Sequence, residues 1–243
     1  RLLRECLIRH KPDSRVVKTI LFVIRGLEYP GIRAVLYPWY RLIFDYYFWL
    51  GVQVEAASQG GIKRYKPARI TVLCYHLVCA DPPPDMKKWS VTPETFERQM
   101  AYLFKRGYQS VTLEQLWGYL TIGLPLPARA ICLTFDDGYR NNLTHAFPVL
   151  ARYGFSATMF LVAGFIGGVN AWDRVNPGPE LLTWDEVIAS QSLKISFQSH
   201  SLSHCKLSSV PLDKGKREIR ASREIISQKL GKPVEFFAYP YGK

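Results

Sequence analysis

Two carboxylates stand side by side in "ICLTFDDGYRNN" (131–142): Asp136 and Asp137, at the end of an apolar run and just before Gly138. Adjacent like charges repel, so the pair calls for a division of roles. If one Asp gives its charge to a metal ion, the other is left free as a general base toward a nearby water. A second pair offers nitrogen. "HSLSH" places His200 and His204 four residues apart, and on a helical turn both imidazoles would face one way, a common means of presenting two ligands to a divalent metal. One carboxylate oxygen would complete a two-His, one-carboxylate set with positions left for water and substrate. The metalloprotease pattern needs Glu directly after the first His, and Ser201 stands there, which excludes it. The absence of a D-x-D-x-D-G run argues against a calcium loop. The plain alternatives are a solvated Asp-Gly turn and two surface or capping histidines.

These residues need a frame. From residue 70 onward, short apolar runs alternate with helical patterns. "ITVLCY" (70–75), "AICLTF" (130–135), "SATMFLVA" (156–163), "KISFQSH" (194–200) and "VEFFAYPYG" (234–242) read as strands, the first two of them buried. Helices are expected over 92–107, 113–120, 139–154, 183–190 and 213–231, several opened by a Thr cap and closed by Gly. Apolar strands alternating with helices mean a parallel sheet covered by helices. An eight-fold or distorted barrel is the economical architecture; a doubly wound open sheet is the alternative. In such folds chemistry sits at the carboxyl ends of the strands. Tyr75-His76, Asp136-Asp137, the His200 and His204 pair, and Tyr239-Pro240-Tyr241 each fall at a strand end.

The rest of the chain differs in character. Of the formal +12 charge on 243 residues, +8 lies in residues 1–70, with thirteen Lys/Arg against five Asp/Glu. Residues 1–56 read as a basic, aromatic helical leader, 57–69 as a linker and 70–243 as the catalytic domain. The leader suits an anionic membrane surface or an exposed basic face on packed helices. Its most apolar stretch, 36–52, is broken by Arg41 and Asp45, so a spanning helix is not expected. The opening lacks an initiator Met and a signal-peptide pattern, and reads as the middle of a longer protein. Five cysteines without CxxC spacing suggest neither a disulfide framework nor a cysteine zinc site. Cys74 and Cys132 read as small core residues.

The motifs carry a resemblance. "TFDDGY" (134–139), "SHSLSH" (199–204) and "FFAYPYG" (236–242) resemble, in order and spacing, the first three motifs of the polysaccharide deacetylase (NodB-homology) family. The likeness covers roughly 70–243 and implies a distorted (β/α) barrel that removes N- or O-acetyl groups from sugars with one divalent metal. Carried over, it makes Asp136 the general base and Asp137, His200 and His204 the metal ligands. It gives the Tyr241 N–H to the oxyanion and puts Tyr139 and Tyr239 at substrate-binding positions. Zinc is the expected ion; cobalt, nickel and iron suit the same donors. The family's third motif usually has an Arg that tethers the base, and Ala238 stands in its place. The family's later Trp-bearing and Leu-x-His motifs, the second supplying the acid, do not occur before Lys243. "VLCYHLV" (72–78) resembles the start of the permuted poly-N-acetylglucosamine deacetylase branch, which makes His76 the acid. The barrel is expected to be incomplete at its C-terminus. The leader is similar to the tail of bacterial family-two glycosyltransferases.

The expected function is therefore metal-dependent hydrolysis of acetamides on N-acetylated sugar polymers, releasing acetate. The alternative is a carbohydrate-binding or scaffold domain without turnover. A nucleic-acid partner is not expected, because the charge sits in the leader and no binding motif appears. The oligomeric state is open. An envelope or extracellular location is expected ahead of the cytoplasmic membrane face.

Overall fold

The structure is a computed structural model in which residues 70–173 and 178–243 are described; they belong to the compact unit Pro67–Lys243. The basic leader and the linker, with the membrane contact and glycosyltransferase likeness expected of them, lie outside the described residues.

The strands are β1 (Thr71–Tyr75), β2 (Leu77–Val78), β3 (Ser90–Val91), β4 (Gln109–Ser110), β5 (Ala130–Phe135), β6 (Ala157–Leu161) and β7 (Ile195–Ser199). The α-helices are α1 (Pro93–Lys105), α2 (Leu113–Ile122), α3 (Asn141–His145), α4 (Phe147–Tyr153), α5 (Trp184–Ser190) and α6 (Leu212–Leu230). The main sheet runs β1-β5-β6-β7, parallel throughout; β4 pairs with the start of β5, and β2 with β3 apart from it. This is the expected parallel α/β architecture. Among the described residues the sheet stays open and does not close into a barrel.

β5 and β6 are buried on both faces because both faces are covered, and apart from Thr134 and Thr158 their residues are apolar. Ile131, Leu133 and Phe135 of β5 and Ala157, Met159 and Leu161 of β6 share one core with Phe96 and Met100 of α1, Phe147 and Leu150 of α4, and Ile226 of α6. Each large side chain buried there contributes roughly 1.5–3 kcal/mol. The helix starts are set locally. The Thr112 hydroxyl accepts from Gln115 N while the Gln115 side chain accepts from Thr112 N, and Thr183 with Glu186 repeats the arrangement. Each satisfies two backbone donors that the helix leaves free.

Four expectations are corrected. The helix expected over 139–154 is two helices meeting at Ala146, because Pro148 has no N–H and its ring crowds the carbonyl four residues back. The last expected strand, 234–242, makes only one bridge, Phe237 to Ser199. Two of its N–H groups, Glu235 and Phe236, go instead to the Gln198 side-chain oxygen, and Tyr241 turns away with φ 59°. β1 is not buried: among the described residues it is an edge strand with Val72 and Cys74 exposed, and only its Leu73 and Tyr75 reach the core. Cys132 is buried as expected, whereas Cys74 is not a core residue.

Candidate active site

Asp136 and Asp137 avoid each other by backbone turn. β5 ends at Phe135, and Asp136 N still donates to Tyr75 O (2.9 Å). Asp137 then adopts φ 73° and Gly138 φ 80°, a left-handed pair that Asp tolerates better than most residues and Gly adopts freely. Gly138 is also held by space, since an added Cβ would sit 3.0 Å from Leu161 Cδ2. The turn leaves Asp136 half-buried on the rim and carries Asp137 inward, to 4% exposure.

His200 follows β7, its N–H donating to Leu161 O (2.8 Å). Its Nδ1 lies 3.0 Å from Ala238 O. A carbonyl only accepts, so Nδ1 carries the proton and Nε2 keeps its lone pair for a ligand. The residue standing where the family has its Arg thus contributes through its backbone. The segment from His200 to His204 is not the helical turn expected from its spacing. It is a tight loop with positive φ at Ser201 (71°) and His204 (56°). Ser201 Oγ accepts from His204 N (2.9 Å). Buried Glu218 of α6 accepts from Leu202 N (3.0 Å), Ser203 N (2.8 Å) and Ser203 Oγ (2.7 Å).

The result is convergence. His204 Nε2 lies 3.1 Å and His200 Nε2 3.4 Å from Asp137 Oδ1. All three side chains are buried, and Asp137 Oδ1 has no partner aligned as a hydrogen bond. One ligand atom from each lies within 4.8 Å of the others. Burial alone would raise the Asp137 carboxyl pKa, but the imidazoles of His200 and His204 outweigh it and hold the group well below the usual carboxylate range. Burial opposes a charged His200, yet Asp137, Asp136 and the Ala238 carbonyl outweigh it and raise its pKa above the ordinary 6.5. An orphaned buried carboxylate oxygen facing two imidazole nitrogens, one with its tautomer set by a carbonyl, fits a divalent cation.

The neighbours are aromatic. Trp172 stacks on His204 (centroids 4.6 Å apart, 29° between planes), and Tyr241 meets the same ring edge-on at 4.8 Å. The Tyr241 N–H has no acceptor among the described residues. Tyr239 is 56% exposed and packs edge-on against Phe237. Tyr139 departs from its expected substrate-facing position. It is fully buried, its hydroxyl accepts from Asn170 Nδ2 (2.8 Å), and its ring lies against Trp172. It supports the turn from within because Leu181 pairs with it across an antiparallel bridge.

His76 directly follows β1, near Asp136, and stacks on Trp89 at 5.0 Å; its carbonyl accepts from Asn142 Nδ2 (2.7 Å). Cys74 Sγ donates to Asp136 Oδ2 (3.4 Å); packing around the thiol, then the Asp136 charge, push its pKa up to about 12. Glu218, Trp172, Asn142 and Cys74 were not legible as site residues. Glu218 reads as one more charge on an amphipathic helix, and the others are single residues without a spacing pattern.

An α/β domain with a parallel sheet and an Asp-His-His cluster at its strand ends has the arrangement of a NodB-type deacetylase. Residues 123–243, just under half of the chain, match the family described as polysaccharide deacetylase. Among its relatives, the chain is 28% identical over 189 residues to a putative polysaccharide deacetylase, YxkH, of Bacillus subtilis, covering 78% of this chain and 62% of that protein. It is 32% identical over 124 residues to the poly-beta-1,6-N-acetyl-D-glucosamine N-deacetylase of Escherichia coli, covering 48% of this chain and 18% of that protein. The chain thus spans less than two thirds of either relative. Among solved structures, the Streptococcus pyogenes deacetylase PplD superposes with a TM-score of 0.65 at 24% identity, covering 73% of this chain and 76% of that one. IcaB from Ammonifex degensii gives 0.62 at 24% identity, covering 72% and 75%.

Proposed function

We propose that this domain hydrolyses acetamide groups on an N-acetylated sugar polymer, releasing acetate and leaving a free amine. The observation that carries the reading is the buried convergence of Asp137 Oδ1 with the Nε2 atoms of His200 and His204. Those three residues would hold one divalent cation, zinc first among the candidates. When bound, the cation supplies Lewis-acid polarisation of the acetamide oxygen.

The remaining roles fall to the chain itself. Asp136 stands half-buried on the rim next to the ligand set, placed to take a proton from the attacking water. The free Tyr241 N–H is a donor for the oxygen that becomes negative in the tetrahedral intermediate. The left-handed backbone at Tyr241 aims that donor. His76, across from Asp136 and pinned by Trp89 and Asn142, is placed to protonate the departing amine. The exposed ring of Tyr239 offers a flat face to a sugar, while Tyr139 positions the Asp137 turn. Poly-beta-1,6-N-acetyl-D-glucosamine, the substrate named for the Escherichia coli relative, is the first polymer to test. Such a polymer is an envelope or extracellular material, which is where this reading places the reaction.

The test is acetate release from N-acetylglucosamine oligomers after loading with zinc, cobalt or nickel. Asp136→Asn should bind metal normally and lose roughly a hundred- to ten-thousandfold in rate. An unchanged rate would remove Asp136 as the base. If the metal-loaded protein binds the oligomers but releases no acetate from any of them, the domain is a binding module.

A further inference from the structure

Three donor side chains at the rim lie outside the Asp137–His200–His204 set. They are Cys74, His76 and Asp136, and one ligand atom from each lies within 4.8 Å of the others. Strand pairing imposes the cluster. Cys74 lies opposite Thr134, and Tyr75 opposite Phe135. Side chains on paired strands alternate with a period of two. His76 and Asp136 each stand one residue past the last pair, Tyr75 with Phe135, and their ligand atoms meet that of Cys74.

The groups are held there. Asp136 N bonds Tyr75 O at 2.9 Å and Cys74 Sγ donates to Asp136 Oδ2 at 3.4 Å. The His76 ring lies against Trp89, and its ring nitrogens have no hydrogen-bond partner among the described residues. Cys74 is exposed and the other two are half-buried, so an ion can reach them without unfolding the sheet. One sulfur, one imidazole nitrogen and one carboxylate oxygen form a donor set that favours a thiophilic cation over magnesium or calcium.

We propose that Cys74, His76 and Asp136 form a second cation site, for a thiophilic divalent ion such as zinc or cadmium, and that filling it silences the domain. On binding, the Cys74 S–H bond breaks, its proton goes to solvent, and the thiolate, an imidazole lone pair and a carboxylate oxygen bond the ion. No electron is transferred. With its carboxylate so engaged, Asp136 no longer accepts a proton from water, and His76 no longer carries one to deliver. The silencing rests on the roles proposed above for Asp136 and His76; the binding does not.

The experiment uses the whole chain loaded with one equivalent of zinc and then titrated with cadmium. A second equivalent should bind and bring up the ultraviolet thiolate-to-cadmium band. Cys74→Ser should lose the band, while Cys79→Ser keeps it. His76→Gln should weaken cadmium binding by at least the roughly tenfold that loss of even an outer-shell partner costs. In parallel, acetate release by the zinc-loaded protein should fall as the second equivalent binds. The activity that Cys74→Ser retains should need at least about tenfold more cadmium to fall by the same fraction. A single equivalent bound by the unmodified chain, or a band that survives Cys74→Ser, would overturn the site. A second equivalent bound through Cys74 with acetate release unaffected would overturn the silencing and count against Asp136 as the base.

Discussion

The two donor clusters at the rim are made in different ways. Asp137, His200 and His204 come from two strand ends and a loop, are buried, and depend on other elements for their aim. Ala238 O fixes the tautomer of His200, Glu218 of α6 ties down the loop, and Trp172 stacks on His204. Cys74 lies on β1, and His76 and Asp136 stand one residue past the ends of β1 and β5, so the pairing of two adjacent parallel strands brings the three together. Tertiary support stabilises charged groups away from water, where they interact strongly. Strand pairing alone assembles a cluster that stays open to solvent. The comparison teaches that burial and second contacts, more than proximity, separate a cluster suited to hold an ion tightly from one suited to exchange it with solvent.

The sharpest break is at the ligands. His200→Ala should abolish tight zinc binding at the buried cluster, read by equilibrium dialysis, and take acetate release with it. Asp136→Asn should leave that binding intact. If zinc binds the His200→Ala protein as well as the parent, the buried cluster is not the resident site.

Glu218 tests the support more finely. Glu218→Ala removes the acceptor of three hydrogen bonds, two of them to backbone N–H groups of the ligand loop. At roughly 1.5–3 kcal/mol for a hydrogen bond to a charged group, a loss of several kcal/mol of stability is expected. A roughly 10–100-fold drop in zinc affinity should accompany it. Urea unfolding and a zinc titration check the two parts. A drop in stability with unchanged affinity would mean that the loop does not aim the ligands.

Acidity separates the clusters again. In the metal-free protein the His200 pKa lies above its ordinary 6.5 and that of Asp137 lies well below the carboxylate range. The proton on His200 therefore stabilises the metal-free fold below pH 6.5, and that contribution fades as pH rises through the raised value. Asp137 adds stability above its unfolded pKa, lost only in strong acid. Zinc must displace the His200 proton, so its affinity should fall about tenfold per unit as pH drops below the raised value. A proton-release measurement on zinc addition checks this. An affinity flat across the range would contradict it.

The smallest effect is expected on the open side. Trp89→Ala removes the ring stacked on His76, a contact of about 0.5–1.5 kcal/mol. Acetate release should fall less than about tenfold, with zinc affinity unchanged. A larger loss would mean that Trp89 also holds substrate.

Much of this was legible in the residues. The alternation of apolar runs with capped helices predicted the parallel sheet, because burial on both faces leaves strands with few polar positions. The Asp136-Asp137 pair and the two histidines were identifiable by type and spacing. Local pattern misjudged β1, whose apolar residues sit on an exposed edge, and the segment 234–242, where Gln198 and a turn at Tyr241 replace a ladder. It also misjudged the reason His200 and His204 converge. A four-residue spacing suggests a helix, but two left-handed residues and a carboxylate from α6 do the work.

What the sequence by itself determined, then, was chemical identity: which donors exist and at which strand ends. Those follow from residue type and periodicity, which are local. Tertiary structure alone decided which donors are buried, which nitrogen of His200 faces inward, that Tyr139 supports rather than contacts, and that Cys74 lies beside Asp136. Each depends on elements distant in the chain, so the physics that sets it, burial and the pairing of polar groups, has no local signature.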